Sequence, residues 1–535
     1  MSDPQTTSHT PSRQAETHSV TSAAGLIGAA TLSSRILGFI RDVVIAQLFG
    51  ASAAADAFYV AYRIPNLLRE LFAEGSMSSA FIPVFTEYHT LRSKEEAWEL
   101  ASAAFTTLLT LVTLVTVLGI FAAPGIVWFL APGFHGEATQ LATTTLLTQV
   151  MFPYLLFVSL AALAMGILNA LRAFAVPALA PVFFNIVVIT FALFVTPFFE
   201  QPIIGVGIGI VIGGLAQFVM QLPAMYRRGF LLTWNFRPGH PGVKHMGRLI
   251  LPTLLGLSVT QVNLTVSTIL ASYFEGGPTY LFYGMRLIQF PLGIFGVALA
   301  TAILPTLSTQ AASGALDDLR DTVNYGLRSI LFIILPAMLG LMLVGEPIIQ
   351  IFFEHGAFTA VDTSRTASAL FAFSIGLWAF AGYRILATAF YALQDTKTPA
   401  IAAVAGMCAN VTLALILMQS LDYVGLALAT ACASMLNAGI LLTILNRRLG
   451  GLHWTRLAKS VGRTVIALLP LTFICLWVAE LDIWRQTDIF LLKISMLTGG
   501  IGLSMVGYFG THLLLKSEEL SGIWHVLKKK LRIGS

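Results

Sequence analysis

The sequence predicts an all-α polytopic membrane protein of about 14 transmembrane helices. Of its 535 residues, 56% are hydrophobic and only 11% are charged, whereas a soluble domain carries about 25% charged residues. Apolar runs of about 20 residues, the length that crosses a bilayer core, recur from Ala23 to Leu515. Only short polar stretches separate these runs, so the sequence leaves no room for a long soluble domain.

The apolar runs give fourteen predicted helices in order along the chain. They span residues 23–48, 57–86, 100–123, 140–169, 176–198, 203–226, 247–273, 279–309, 324–345, 363–392, 399–419, 423–446, 459–479 and 489–515. Several exceed the minimum crossing length, which fits helices that tilt or extend beyond the bilayer. Residues 1–22 are rich in Ser and Thr and contain Pro4 and Pro11, which predicts a disordered tail rather than a cleaved signal peptide.

Basic residues collect in alternate loops. One set of loops holds Arg92, Lys94, Arg172, Arg227, Arg228, Arg237, Lys244, Arg320, Lys397, Arg447, Arg448, Arg456, Lys459, Lys528, Lys529, Lys530 and Arg532. The opposite loops, near Gly50, Pro132, Gln201, Gly276, His355 and Leu421, hold no Lys or Arg, and Arg485 lies in the last loop of that side. The positive-inside rule then places both termini in the cytoplasm, which requires an even number of crossings. The net charge of +5 therefore reports topology and does not indicate a nucleic-acid partner.

Two basic segments also carry apolar side chains. The segment between helices 6 and 7 and the tail "GIWHVLKKKLR" have the composition of chain that lies on an anionic cytoplasmic leaflet. We expect the tail to form an interfacial helix.

The two halves of the chain resemble each other. "AFYVAYRIPNLL" resembles "LFYGMRLIQFPL", and "ALRAFAVPALA" resembles "ALQDTKTPAIA". The offsets are 286 − 63 = 223 for the arginines, 399 − 177 = 222 for the prolines and 358 − 134 = 224 for a loop phenylalanine. Because this offset spans six helices, the copies share one orientation, which predicts two six-helix lobes related by an axis along the membrane normal.

This repeat sets the predicted divisions of the chain. They are a disordered cytoplasmic N-terminal tail (1–22), an N-lobe of helices 1–6 (23–226), a cytoplasmic amphipathic linker (227–246), a C-lobe of helices 7–12 (247–446), helices 13 and 14 (447–515), and a basic cytoplasmic C-terminal tail (516–535).

Charged residues within the predicted spans concentrate in helices 1, 2 and 8. Each costs about 2.5–3.5 kcal/mol at a helix centre, so it normally faces a cavity, a partner or a ligand. Helical spacing aligns Arg63, Asn66, Glu70 and Glu74 of helix 2, with Arg69 beside them, and Thr279, Tyr283, Arg286 and Gln289 of helix 8. Arginine presents a planar fork of donors to phosphate oxygens, so such a cavity favours an anion, and pyrophosphate is the natural candidate.

Several of these residues have two readings. Arg41, Asp42 and Glu74 could have a structural role, in which they pair internally or extend to the headgroups. The alternative is that they face the cavity. Arg35 and Arg286 could likewise form structural ion pairs instead of facing the cavity, although each lies about midway along an apolar span. Asp56 either caps the start of helix 2 or forms a gate that pairs with an arginine in one state. Whether Arg384 of helix 10 faces the cavity stays open.

Four segments carry a family resemblance: "SSRILGFIRD", "ADAFYVAYRIPNLLRELFAEGSMSSAFIPVF", "YGMRLIQFPLGIFGVALATAILPTLS" and "ALQDTKTP". Together they resemble the MurJ (MviN) lipid II flippases of the multidrug/oligosaccharidyl-lipid/polysaccharide (MOP) exporter superfamily, from helix 1 to about helix 12. The resemblance implies a transporter and not an enzyme. It would move lipid II, the undecaprenyl-pyrophosphate-linked peptidoglycan precursor, from the inner to the outer leaflet of the bacterial cytoplasmic membrane by alternating access.

The resemblance also implies a set of site residues. The substrate-binding positions are Arg35, Arg41, Arg69, Arg286, Ser34, Asn66, Thr279 and Gln289, and the gate positions are Asp56 and Glu74. Where some relatives carry an acidic pair around the helix-8 arginine, this chain has Met285 and Gln289. Any salt bridge from those positions to Arg286 is therefore absent, which leaves the cavity more positive.

Transport of an intact lipid implies no catalytic residue, metal or cofactor, and the membrane potential or an ion gradient is the expected energy source. The expected partners are lipid II, membrane lipids and proteins of cell-wall synthesis. Three rivals are considered, of which a pure scaffold would not explain several arginines inside the membrane spans. Another MOP exporter, for O-antigen lipid or drugs, is the nearer one, although drug antiporters more often expel cations and usually have twelve helices. A polyprenyl-phosphate membrane enzyme would need a carboxylate or His cluster, and the ten His residues are scattered.

Overall fold

A computed structural model describes residues 13–70, 76–230, 233–486 and 489–521. Over these ranges the chain is helical and contains no strand. The helices of the first half are α1 (Arg13–Phe49), α2 (Ala53–Arg69), α3 (Ser76–Leu91), α4 (Lys94–Leu130), α5 (Ala138–Met151), α6 (Pro153–Ala170), α7 (Ala175–Thr190), α8 (Pro202–Val219) and α9 (Leu222–Arg227). Those of the second half are α10 (Pro241–Ala271), α11 (Gly277–Pro291), α12 (Val297–Ala312), α13 (Leu316–Leu343), α14 (Gly345–Phe353), α15 (Ala360–Ile375), α16 (Leu377–Ala392), α17 (Lys397–Arg448), α18 (Trp454–Ala479) and α19 (Phe490–Leu514).

The helices fall where the apolar runs predict them, but several predicted spans are interrupted. Predicted helix 4 consists of α5 and α6, which meet at Pro153, a residue without the N–H that an uninterrupted helix needs. Predicted helix 8 consists of α11 and α12, joined by a π-helical turn over Leu292–Gly296 directly after Pro291. Such wider turns realign a helix without ending it.

α17 corresponds to two predicted helices. It contains 52 residues, so as one straight helix it would measure about 78 Å, more than twice the thickness of a bilayer core. Asp422 breaks it with non-helical dihedral angles (φ 49°, ψ −138°). This break lies between the predicted helices 399–419 and 423–446.

The membrane-protein class is confirmed. In the described ranges nine helical segments are long and apolar enough to cross a bilayer, or ten if the bent pair α15 and α16 forms one span. That tally treats α17 as a single segment, and it is consistent with the predicted fourteen.

The ends of the chain differ from the prediction in one respect. α1 begins at Arg13, inside the segment 1–22 that was predicted to be a disordered tail. Residues 13–22 include Arg13, Gln14, Ala15 and Glu16, which have favourable helix propensities and extend the first apolar helix backwards. Most of the predicted interfacial helix in the C-terminal tail lies outside the described residues.

The chain forms two compact units. Unit 1 contains the chain up to Ile45, together with Ala61–Val127 and Ala142–Leu257. Unit 2 contains the chain from Ser258 onward, together with Ala46–Val60 and Trp128–Leu141. The last two segments belong to the N-terminal half of the sequence, so unit 2 is larger than the predicted C-lobe.

Each unit has its own apolar core. In unit 1, Phe81 and Phe85 of α3 stack at 5.3 Å and pack with Leu100 of α4 and Leu163 of α6. In unit 2, the core that joins α13 to the C-terminal helices contains Phe332, Leu471 and Tyr508, and the Tyr508 hydroxyl donates to the Phe332 carbonyl oxygen at 2.6 Å. Predicted helices 13 and 14 are therefore packed into unit 2.

Candidate functional site

The predicted gate residue Asp56 lies in the first turn of α2 and is fully buried. One carboxylate oxygen accepts the Gly276 N–H at 2.8 Å. The other accepts the Thr279 N–H at 3.1 Å and the Thr279 hydroxyl at 2.6 Å. Because Asp56 and residues 276–279 all belong to unit 2, this contact lies within one compact body.

Asp56 supplies α11 with a cap that its own sequence lacks. α11 starts with Gly276 at the N-cap position, in a left-handed conformation (φ 72°), and has no capping side chain of its own. Its second residue, Pro278, has no N–H to donate. A carboxylate at a helix N-terminus binds free amides and complements the helix dipole. α2 does not need Asp56 for this purpose, since the Ser52 hydroxyl accepts the Ala55 N–H at 3.4 Å. Asp56 therefore caps α11 rather than its own helix, and its partners are a helix terminus and a threonine, not the arginine that the gate hypothesis expects.

A buried tyrosine pair lies one helical turn further along both helices. The Tyr59 hydroxyl donates to the Tyr283 hydroxyl at 2.7 Å. Phe282 stacks on Tyr59 with the ring centroids 4.1 Å apart, and Phe353 and Phe358 contact Tyr283 at 4.9 and 5.8 Å. The pair therefore forms the centre of an aromatic layer beneath Asp56.

Two further contacts join the same loops, which are those without Lys or Arg. The Ala357 N–H donates to the Gln47 carbonyl oxygen at 2.8 Å, and the Gly133 N–H donates to the Ser272 hydroxyl oxygen at 3.1 Å. A Cβ on Gly356 would lie 2.4 Å from the Gln47 oxygen, and one on Gly133 would lie 2.1 Å from the Ser272 carbonyl oxygen. Neither glycine has room for a side chain.

These two contacts are equivalent under the internal repeat. The glycines are offset by 356 − 133 = 223 residues and their partners by 272 − 47 = 225. Each contact joins a loop of one repeat to a helix end of the other. We call this reciprocal pair the outer clasp (Gln47 with Gly356–Ala357, and Gly133 with Ser272). All of its residues belong to unit 2.

In unit 1, the predicted substrate residue Arg41 is paired internally. Its guanidinium contacts Asp42 Oδ1 at 2.7 and 3.0 Å and donates to Asn185 Oδ1 at 3.2 Å. Asn185 of α7 also donates to the Ser34 carbonyl oxygen at 3.2 Å. Asp42 is only 1% exposed, so the pair is buried. Arg41 and Asp42 had two interpretations, a structural one that includes internal pairing and one in which they face the cavity. The structure shows them paired with each other.

A second local network joins predicted residues at the end of α2. Arg69 Nε donates to Asn66 Oδ1 at 3.0 Å, and Asn66 Nδ2 donates to Glu70 Oε1 at 2.9 Å. Asn66 and Arg69 were both predicted as substrate residues, and the structure brings them together with Glu70. Glu74, the second predicted gate residue, lies outside the described residues.

The remaining predicted residues differ in exposure. Arg35 of α1 and Gln289 of α11 are exposed, whereas Arg286 is half-buried. Arg286 follows Thr279 and Tyr283 along one face of α11. Arg384 is exposed, and its side-chain carbons approach Gly296 in the π-helical turn, 3.4 Å from where a Cβ would lie.

Sequence reasoning placed Tyr283 on the helix-8 stripe, but it missed the partner Tyr59, the clasp residues and Asn185. A signal for the tyrosines existed, because Tyr59 and Tyr283 align in the repeated segments at 283 − 59 = 224. No comparable signal existed for Asn185, which lies 144 residues from Arg41. In the described ranges no group of His, Cys, Asp and Glu could hold a metal ion.

Comparisons with known proteins give one consistent result. The model of the family described as lipid II flippase MurJ matches residues 45–495. The chain is 39% identical over 500 residues to the probable lipid II flippase MurJ of Vibrio cholerae, covering 92% of this chain and 95% of that one. A solved lipid II flippase MurJ in an inward closed conformation matches with a TM-score of 0.76 and 28% identity, covering 92% of this chain and 100% of that one. An inward-facing MATE multidrug transporter of the MOP superfamily matches with a TM-score of 0.67 over 80% of this chain and 98% of that one, but at 14% identity it shares the fold alone.

Proposed function

The chain belongs to the lipid II flippase MurJ family, and from this premise we propose how it moves its cargo. As a family member it is a lipid II flippase, which transfers the undecaprenyl-pyrophosphate-linked peptidoglycan precursor from the inner to the outer leaflet of the membrane. It is a multi-pass membrane protein. We assign it to the bacterial cytoplasmic membrane with both termini on the cytoplasmic side, as the distribution of basic loops favours.

The observation that carries the mechanism is the bond set around Asp56. In a transporter that works by alternating access, contacts at one end must form in one state and break in the other. Asp56 makes three hydrogen bonds to Gly276 and Thr279, and the Tyr59–Tyr283 bond and the outer clasp lie at the same end. We assign this set as the outer gate, closed in the described conformation. Opening to the outside would break these bonds together.

The arginines of helices 1, 2 and 8 would bind the pyrophosphate. Arg69 donates to the Asn66 amide oxygen, and a phosphate could replace that acceptor with a stronger, charge-assisted bond. Arg41 is paired with the buried Asp42, and breaking a buried ion pair is costly, so we propose that a phosphate binds Arg41 without displacing Asp42. Arg35 is exposed and is suited to first contact. Ser34, Asn66, Thr279, Arg286 and Gln289 complete the proposed set.

Transport leaves the covalent structure of the lipid unchanged, so the proposal assigns no catalytic residue and no cofactor. A membrane potential or an ion gradient would reset the empty transporter. Besides lipid II and the surrounding lipids, proteins of cell-wall synthesis are the proposed partners at the cytoplasmic loops.

Complementation tests this function. A bacterium whose own flippase is depleted would express the parent chain, Arg35→Ala, Arg286→Ala, or the control Arg485→Ala. Arg485 is 88% exposed beside Asp482, so its ion pair contributes little. Lipid II exposure on the outer leaflet is measured together with the amount of protein in the membrane.

We expect the parent and Arg485→Ala to restore exposure, and the other two variants to insert normally without restoring it. If the parent inserts but restores nothing, the cargo is another lipid, and an O-antigen-lipid exporter becomes the leading alternative. Covalently altered lipid II in this assay would instead favour the polyprenyl-phosphate enzyme.

A further inference from the structure

The segment that follows α9 combines exposed aromatic side chains with unbalanced positive charge. Tyr226, Trp234 and Phe236 are 67%, 73% and 48% exposed. The chain has no Asp or Glu between Glu200 and Glu275. In that interval lie five basic residues, namely Arg227, Arg228, Arg237, Lys244 and Arg248. Exposed indole and phenol rings next to arginines are typical of chain that lies at the level of lipid headgroups.

This segment is fixed to α4. The Thr106 hydroxyl donates to the Asn235 carbonyl oxygen at 2.6 Å, and the Thr233 hydroxyl donates to the Ser102 hydroxyl oxygen at 3.2 Å. The Phe230 ring is buried, with its centroid 5.3 Å from that of Trp98. Hydrogen bonds at residues 233 and 235, on both sides of Trp234, therefore hold the loop against α4. This conformation leaves the Trp234 side chain exposed.

Only one of the five basic residues has an acidic partner in the part of the chain that the structure describes. Arg237 contacts Glu99 at 2.6 Å. Arg227, Arg228, Lys244 and Arg248 are exposed. These four charges face outward from a segment that contains no carboxylate of its own, so the surface complements an anionic partner.

The location of the segment identifies that partner. Pro202–Arg227 is a membrane-spanning candidate, and Tyr226 and Arg227 form its last residues. α10 starts at Pro241 and contains the next predicted span. The segment thus lies where two helices leave the bilayer, on the side that the basic loops predict to be cytoplasmic. An acidic protein would also match the charge, but it would not account for exposed aromatic rings next to the end of a membrane-spanning candidate helix.

We propose that residues 226–230 and 233–248 form a membrane-anchoring surface that binds anionic phospholipid headgroups, with Trp234 and Phe236 inserted at the interface. This goes beyond transport of lipid II, because the surface binds ordinary membrane lipid. Its effect is to fix the start of α10 to the cytoplasmic leaflet through α4. Within this surface, residues 233–240 form an irregular loop between α9 and α10 that side chains pin to α4.

Lipid quenching tests the proposal. The full chain, with Cys408, Cys432 and Cys475 replaced by Ala, receives Trp234→Cys and a fluorescent thiol label. It is placed in nanodiscs of phosphatidylcholine alone or with a one-third share of phosphatidylglycerol, each containing a lipid with a nitroxide near the headgroup. The control is Asp317→Cys, a 91% exposed position among acidic residues on the same predicted side. A further variant adds Arg227→Gln and Arg228→Gln.

We expect the label at 234 to be quenched by the nitroxide lipid at least about twofold more with phosphatidylglycerol than without it, and the double Arg variant to lose that gain. The label at 317 should respond only to iodide in the aqueous phase. Quenching at 234 by iodide alone, in both lipids, would overturn the proposal. Equal quenching by the nitroxide lipid with and without phosphatidylglycerol would also overturn it, because the arginines would then have no role in binding anionic lipid. A label at 234 that neither agent reaches in cells, but that iodide reaches in nanodiscs, would show that a protein covers the surface.

Discussion

Tyr59 and Tyr283 occupy equivalent positions in the two repeats, 224 residues apart, and their hydroxyl groups are joined by a hydrogen bond of 2.7 Å. Both rings are buried, with 7% and 0% exposure. A repeat that places equivalent residues in contact holds its two copies together at that point. Here the contact lies one helical turn along α2 and α11 from the Asp56 bonds.

The tyrosine pair should behave as a unit. Tyr59→Phe or Tyr283→Phe leaves one buried hydroxyl without its partner, which costs about 1–3 kcal/mol, whereas removing both hydroxyls avoids that penalty. We expect each single variant to lower the melting temperature in detergent, and the double variant to lower it by less than the sum. Strictly additive shifts would mean that the two hydroxyls do not depend on each other. Tyr226→Phe is the matched control, since Tyr226 is 67% exposed.

Asp56→Asn should loosen the start of α11. In the parent, the Gly276 and Thr279 N–H groups donate to the two carboxylate oxygens of Asp56. Asparagine replaces one of these oxygens with an NH₂ group, which cannot accept, and hydrogen bonds to a charged group contribute about 1.5–3 kcal/mol. That free energy corresponds to about 10- to 100-fold faster hydrogen exchange at the Gly276 and Thr279 amides. Mass spectrometry of the peptide that contains them measures this directly.

Asp482→Asn is the control for this experiment, because Asp482 is 90% exposed. Unchanged exchange in Asp56→Asn, with normal exchange in α19, would remove Asp56 from the gate. Loss of lipid II exposure in the same variant is expected if the gate must close in each cycle.

Gly133→Ala and Gly356→Ala should each weaken the outer clasp. The added Cβ meets a backbone carbonyl oxygen at 2.1 or 2.4 Å, and overpacking of this kind typically costs about 1–3 kcal/mol. Gly356 also has a φ of 59°, a left-handed angle that costs an alanine roughly 1–2 kcal/mol. We expect lower melting temperatures for both variants, with the larger fall for Gly356→Ala. The control is Gly136→Ala, in the same loop as Gly133, because a Cβ on Gly136 would have no atom within 4 Å. Its melting temperature should equal that of the parent. If Gly133→Ala also melts like the parent, the contact between Gly133 and Ser272 has no structural role.

Asp395 predicts a pH dependence outside the membrane spans. Bonds from the Thr398 backbone N–H and hydroxyl, and then from Arg448, lower the pKa of Asp395 to about 2. A carboxyl with a lowered folded-state pKa stabilises the protein above its ordinary pKa, and this contribution is lost as the pH falls toward the folded value. We expect Asp395→Asn to lower the melting temperature at pH 7 and this difference to shrink as the pH falls from about 4 to about 2. A difference that stays constant over that interval would show that the carboxylate charge does not matter there.

The helix positions followed from the sequence because a bilayer demands long apolar runs, and α17 to α19 coincide with the predicted helices 11 to 14 within a few residues. The internal repeat also followed, because it survives as matched letters around Arg63 and Arg286. Interruptions such as the π-helical turn after Pro291 did not, since a proline in a membrane helix can kink it, widen it or leave it straight. The backward extension of α1 to Arg13 shows the limit of composition, because a Ser- and Thr-rich stretch can still continue a helix that is already nucleated.

For the site, residue types could be predicted and partners could not. Charge in an apolar span singled out Arg41 as a substrate residue and Asp56 as a gate residue, and the structure shows polar partners for both. The choice of Asn185 for Arg41, and of Gly276 and Thr279 for Asp56, depends on how distant helices meet, at separations of 144 and 220–223 residues. A single sequence does not indicate which distant helices contact each other. Only the tyrosine pair could have been read in advance, from the repeat itself.

The outer clasp has a consequence for how such a chain can change over generations. Each of its two contacts takes one residue from each repeat, Gly133 with Ser272 and Gly356 with Gln47. A bulkier residue at either glycine can be accommodated only by a shift in the opposite repeat. A substitution at these positions in one half of the chain therefore requires a matching change in the other half, and a hybrid that joins the first half of one homologue to the second half of a distant one should fail there before it fails elsewhere.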